Sequence, residues 1–192
     1  MRAGARMMVG SARAARWLAL LLGLLWAISG RAAGFEVLSA ATRLEGGIYR
    51  LDARIEYRFS TAALEALQNG VPLTVEVEME VRRRRSWLWD ETVYALTQRF
   101  QLEYHALSRQ YLVGNLNSGE RRAFPTRSAA LGFMGRIQNF PLLDRSLLTG
   151  NERYEGALRV LLDIESLPAP LRLLAYLSDD WRLASEWRTW PL

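Results

Sequence analysis

Residues 73–104 read LTVEVEMEVRRRRSWLWDETVYALTQRFQLEY, and the rhythm of this stretch decides the fold class. Leu73, Val75, Val77, Met79 and Val81 alternate with Thr74, Glu76, Glu78, Glu80 and Arg82, the two-residue period of a strand with one face buried. Beyond the tryptophans the pattern returns in Tyr94, Leu96, Phe100, Leu102 and Tyr104. Partners in a hairpin have residue numbers that add to a constant. A sum of 175 sets Leu73 against Leu102, Val75 against Phe100, Met79 against Leu96 and Val81 against Tyr94. The same register places Glu76 opposite Arg99 and Arg84 opposite Glu91, and leaves only Gln98, opposite Val77, poorly matched. RRRRSWLWDE, residues 82–91, then becomes the distal end of a long hairpin with Trp87 and Leu88 at its apex.

Working outward, YRLDARIEYRF at 49–59 alternates without a fault, and Phe35 to Leu44 pairs with it through a turn at Glu45-Gly46-Gly47. Ser60 caps a short helix that ends at Asn69-Gly70. A turn at Ser108-Arg109 precedes a strand over 110–116, and NSGE at 117–120 turns the chain into 121–124. Thr126 starts a second helix through RSAALGFMGRI, weakened by about 1 kcal/mol at each of Gly132 and Gly135 relative to alanine. The stretch from Pro141 to Gly150 reads as irregular with a helical turn. Tyr154 to Ile164 is a strand that Pro168 and Pro170 end before LRLLAYL, and Ser178-Asp179-Asp180 turns into a last strand running through Trp187. Seven or more strands with one or two short helices predict a mainly β chain. Its expected fold is an antiparallel β-sandwich, immunoglobulin-like in general architecture.

The amino terminus changes the charge balance. Arg2, Arg6, Arg13 and Arg16 precede an uncharged run, WLALLLGLLWAI at 17–28, which is short for a membrane-spanning helix, and small residues around Gly30 and Ala32 follow. Residues 1–33 therefore read as a secretory signal peptide, cut near Ala32 or Ala33. The expected location is the periplasm, or, if the segment stays uncleaved, the outer face of the inner membrane. The formal charge of +5 resides in Arg2, Arg6, Arg13, Arg16 and Arg31; these five taken from 25 leave 20 basic residues against 20 acidic. A neutral remainder removes the charge argument for a nucleic-acid partner. Residues 34–192 have the length of a single domain.

Several chemistries lack their residues. No cysteine is present, so thiol nucleophiles, thiolate metal sites and a disulfide framework are excluded, and the absence of lysine removes Schiff-base chemistry. His105, the single histidine, falls on the polar face near a strand end, and no Gly-x-Ser-x-Gly elbow accompanies it. Gly114 and Gly119 have phosphate-loop spacing, but Glu120 stands where the lysine belongs. Asp90-Glu91 and Asp179-Asp180, the adjacent acid pairs, sit at turns rather than in a calcium loop. No catalytic residues, metal ligands or cofactor are expected, and the chain is not expected to be an enzyme. The binding candidates are Trp87, Trp89, Arg83 and Arg85, since tryptophan and arginine dominate protein-binding hot spots and also favour membrane interfaces. Paired charges at an ordinary hairpin end explain the same residues. Two other functions stay open: a hydrolase of envelope polymers working through carboxylates, which needs two facing acids in a cleft, and a carrier of an apolar ligand, which needs an open cavity between the sheets.

GVPLTVEVEMEVRRRRSWLWDETV at 70–93, YHALSRQYLV at 104–113 and LDIESLPAPLRLLAYLSDDWRLASEW at 162–187 resemble, in order, the bacterial exported family known as domain of unknown function 4390. The similarity spans 35–192. It implies no reaction, cofactor or catalytic residue. Its association with neighbourhoods encoding membrane sensor kinases implies a membrane or envelope protein as partner. Amino-terminal sequencing of the protein from cells should begin at Ala33 or Gly34; a chain retaining Met1 in the membrane fraction would instead establish the uncleaved anchor.

Overall fold

The computed structural model describes residues 33–85, 89–150 and 152–192; most of the expected signal peptide, and Trp87 and Leu88, lie outside them. Nine strands form among the described residues: β1 (Gly34–Glu45), β2 (Ile48–Arg58), β3 (Leu73–Arg83), β4 (Glu91–His105), β5 (Gln110–Asn115), β6 (Arg121–Phe124), β7 (Arg136–Asp144), β8 (Tyr154–Leu162) and β9 (Arg188–Pro191). They make two sheets, β1-β2-β7 and β6-β5-β4-β3-β8-β9, with every neighbouring pair antiparallel. Buried side chains of both sheets join one core, with Leu51, Ala53, Ile55 and Tyr57 from β2, Leu73, Val75, Val77, Met79 and Val81 from β3, and Leu158, Val160 and Leu162 from β8. The chain is thus the expected antiparallel β-sandwich. Among the described residues no helix is long and apolar enough to cross a membrane.

The register of the central hairpin follows the 175 sum from Leu73↔Leu102 to Val81↔Tyr94, including Val77↔Gln98. Between Val81 and Arg82 it shifts, so that Arg83 rather than Arg84 stands opposite Glu91. An irregularity of this kind adds a residue to one strand and turns the side chains beyond it, which alternation cannot reveal. The opening hairpin closes Glu45 on Ile48 through Gly46 and Gly47, both left-handed (φ 59° and 82°), as a two-residue turn between twisted strands requires.

Among the described residues three α-helices form rather than one or two: α1 (Thr61–Gln68), α2 (Arg127–Met134) and α3 (Ala169–Leu177). Ser60 and Thr126 cap the first two, their hydroxyls accepting from the amides of Ala63 and Ala129 at 3.1 and 3.2 Å. Helical spacing extended α2 to Ile137. The helix stops at Met134 because Gly135 lies on β2, its carbonyl accepting from Ile55 N at 2.8 Å, and the next residues pair with Ala53 and Arg54. Ile137 is buried as a strand residue. The strand continues to Asp144, so the expected irregular region contracts to a 3-10 turn at Arg145–Leu147 and the loop after it. The prolines do not end the preceding strand, which stops at Leu162, short of the expected Ile164, where Asp163 turns the chain. Pro168 and Pro170 instead start α3, since proline is tolerated in a first helical turn where its missing N–H has no intrahelical role.

The last strand also departs from expectation. Asp179–Trp181 is a 3-10 turn, and 182–187 follows β8 irregularly, bonded through Leu183 O to Leu162 N and Ser185 N to Val160 O, each at 2.8 Å. Regular pairing starts only at Arg188, where the expected strand had already ended. Trp181, Leu183 and Ser185 are buried in alternation, and that produced the strand-like pattern.

The two glycines of α2 separate helix propensity from packing. A Cβ on Gly132 meets nothing within 4 Å, whereas one on Gly135 falls 2.2 Å from Ile55 O. Gly132→Ala is expected to stabilise by about 0.5–1 kcal/mol in urea unfolding, and Gly135→Ala to destabilise by about 2 kcal/mol or more. Equal effects would mean that α2 does not rest on β2.

Candidate functional site

The outward face of β3 carries Glu76, Glu78 and Glu80, and each finds an arginine. Arg99 Nε lies 3.0 Å from Glu76, Arg159 donates to Glu78 at 2.6 and 2.9 Å, and Arg82 donates to Glu80 at 2.7 Å. The Trp187 ring stacks under both Arg82 and Arg159, with guanidinium carbons 4.4 and 4.8 Å from its centroid. Arg99 also bonds Asp163, a buried carboxylate that accepts the amides of Glu165 and Ser166 at 3.0 and 3.3 Å and so shapes the chain after β8. Burial first, and then the negative Asp163, raise the Glu76 pKa, with Arg99 opposing them. These acids converge on a shared guanidinium, an arrangement that fits sheet cohesion better than the facing pair of a glycosidase.

His105 ends β4 in an exposed position, its Nδ1 3.1 Å from Ser108 Oγ, and the contact closes the turn into β5. Among the described residues no group of three or more His, Cys, Asp or Glu is placed to hold a metal ion. An open groove of about 300 Å³ lies under α2, lined by Phe100, Phe133, Phe140, Gln98, Glu120 and Arg136 among others.

The hairpin end is organised differently from the sequence expectation. The expected register put Arg84 opposite Glu91; after the register shift, Arg83 and Arg85 both bond Glu91. Their hydrogen bonds and charges lower the Glu91 pKa, the bond from Arg83 contributing most. The backbone N–H of Arg85 donates to Asp90 Oδ1 at 3.3 Å. Trp89 follows with 94% of its surface exposed, whereas Trp87 lies outside the described residues. A tryptophan this open buries almost none of its apolar area within its own chain.

Beside this hairpin end a cavity of about 520 Å³ opens between the two sheets, with Arg84, Arg145 and Arg153 in its wall and Tyr49, Tyr154 and Trp190 among its other lining residues. Each arginine comes from a different segment, and a backbone bond fixes each. Arg84 N donates to Arg153 O at 2.9 Å, tying the ends of β3 and β8, and Arg145 N donates to Gly47 O at 2.8 Å, tying the end of β7 to the opening turn. Arg84 Nε is 3.6 Å from Glu155; among the described residues Arg145 and Arg153 make no ion pair within 4.0 Å. Trp190 is held by Nε1 donating to Thr42 Oγ1 at 3.2 Å and by Gly156, where a Cβ would come within 2.4 Å of the indole. Sequence reading missed Arg145, Arg153 and Trp190, which no local pattern marks and which only the sheet order brings beside Arg84.

The model of a protein family described as "Domain of unknown function (DUF4390)" matches residues 32–191. No curated protein matches the chain, and no solved structure does.

The raised Glu76 pKa has a sign that can be measured. An acid whose folded pKa exceeds the ordinary 4.5 is deprotonated more readily in the unfolded chain, so it weakens the fold as pH rises through the folded pKa. Glu76→Gln is therefore expected to raise the Tm at pH 7, with the gain shrinking as the pH is lowered through that range. A lower Tm at pH 7 would show that the pairing with Arg99 outweighs desolvation.

Proposed function

We propose a binding role for this chain, which belongs to the DUF4390 family: it is an exported, periplasmic interaction module that docks a membrane or envelope protein through the hairpin end of its sandwich. The observation that carries this reading is Trp89, 94% exposed at the end where the 520 Å³ cavity opens. An indole without intramolecular packing, beside arginines held in place by Glu91, has the composition of a hot spot.

The other readings gather less support. For a carboxylate hydrolase, Glu76, Glu78, Glu80 and Asp163 are already committed to arginines. For an apolar carrier, the cavity between the sheets places Arg84, Arg145, Arg153, Glu152 and Glu155 in its wall, and the groove under α2 mixes its phenylalanines with Gln98, Glu120 and Arg136. No cofactor enters the proposed role, and neither does nucleic acid. The membrane surface is the competing target of an exposed tryptophan, and crosslinking separates it from a protein partner.

The test compares partner recovery by crosslinking in envelope fractions for the native chain, Trp89→Ala, and Trp87→Ala combined with Trp89→Ala. Recovery of a discrete protein band is expected to fall about ten-fold with Trp89→Ala, the loss of one hot-spot side chain, while the Tm stays unchanged because the side chain is exposed. Undiminished recovery from the double variant removes the hairpin end as the docking surface.

A further inference from the structure

We infer that the cavity between the hairpin end and the β1–β2 turn is an anion site that takes a small organic carboxylate or phosphate. The inference deepens the docking reading and rests on it in treating this end of the sandwich as the binding end. Three guanidinium groups line the cavity, against two side-chain carboxylates, Glu152 and Glu155. Arg84 reaches Glu155 only at 3.6 Å, and Arg145 and Arg153 form no ion pair among the described residues. Elsewhere several arginines hold a carboxylate at short range, as Arg58 does with Glu36 at 2.5 Å and Arg159 with Glu78 at 2.6 Å. The cavity therefore gathers guanidinium forks whose match, the paired oxygens of a carboxylate or phosphate, the chain itself supplies to only one of them.

The frame is built before any ligand arrives. Backbone bonds fix Arg84 against Arg153 and Arg145 against Gly47, and the Tyr154 hydroxyl accepts from Thr149 N at 3.1 Å, holding the loop wall. Trp190, locked by Thr42 and Gly156, closes one side. A volume of about 520 Å³ suits a ligand with a body rather than a bare ion, since small-molecule sites run to about 300–1,000 Å³. Tyr49 and Tyr154 lie along the wall for that body to contact. Arg145 and Arg153, which no carboxylate among the described residues pairs within 4.0 Å, are the guanidinium groups left to meet the anionic group.

Two probes distinguish the sources of the anion: glutarate for a carboxylate and phenyl phosphate for a phosphate. Each is titrated into the protein as isolated from cells, at low salt, and followed by amide chemical shifts. At least one is expected to shift resonances of residues 145–156 and 189–192 saturably, to bind at least ten-fold more weakly to Arg145→Gln combined with Arg153→Gln, and to lose affinity as salt screens the charges. Arg54→Gln, exposed on β2 away from the cavity, is expected to leave binding unchanged. Unfolding midpoints of all variants confirm that each compared protein is folded; should the double variant not fold, each single variant is expected to show part of the loss. Binding by neither probe, or equal binding to the arginine variants, overturns the anion site. Partner recovery lost with Trp89→Ala while both probes fail would leave docking standing alone, and probe binding with undiminished recovery would leave the anion site alone.

Discussion

The structure depends on the burial of one face of β3 along its entire length. Leu73, Val75, Val77, Met79 and Val81 are fully buried, and the strand is hydrogen-bonded on both edges, to β4 and to β8. A slip of one residue would carry these five side chains to the outer face and bring Glu76, Glu78 and Glu80 inside. At about 1.5–3 kcal/mol for each apolar side chain, that exchange amounts to roughly 10 kcal/mol, comparable with the entire stability of an ordinary domain. The register of the central hairpin is therefore the least negotiable feature of the molecule. With it fixed, the outward glutamates meet Arg99 and Arg159 from the two neighbouring strands without further design.

The shift after Val81 converts this ordinary hairpin into the frame of a site. Were the pairing unbroken, Arg84 would face Glu91 and its charge would be spent there. With the shift, Glu91 holds Arg83 and Arg85 instead, and Arg84 turns toward Glu155 and the cavity wall. Arg145 and Arg153 arrive from the end of β7 and the loop before β8, because β7 lies beside β2 and β8 beside β3. The cavity is thus a product of sheet order: its arginines are distant in sequence and are fixed by backbone bonds belonging to the two sheets. Trp89 stands at the same end, so the proposed docking surface and the proposed anion site share one scaffold.

Much of this was legible in the sequence. Two-residue alternation gave the strands, the sum rule gave the β3–β4 pairing residue by residue up to Val81, and Ser60 and Thr126 marked helix starts through their hydroxyls. What escaped has physical reasons. A bulge is set by how three strands twist together, and the residues on either side of it look alike in composition. Ile137 and Leu183 carry the right hydrophobicity in the wrong period, since burial in a strand or an irregular segment leaves the same trace as burial in a helix or a regular strand. Trp89 and the arginines of the hairpin end were visible as candidates, whereas Arg145, Arg153 and the Gly156–Trp190 contact are tertiary facts with no local signature.

The most direct measurement is of cross-strand proximity in solution by nuclear Overhauser contacts along β3. Backbone contacts are expected to join Val75 to Phe100 and Met79 to Leu96 on one edge and Val77 to Val160 on the other, and past Val81 to join Arg83 to Glu91. Contacts between Arg84 and Glu91 would show an unbroken hairpin and remove the basis of the arginine-lined cavity. A different constant sum along β3 and β4, or helical contacts within 73–83, would contradict the fold itself.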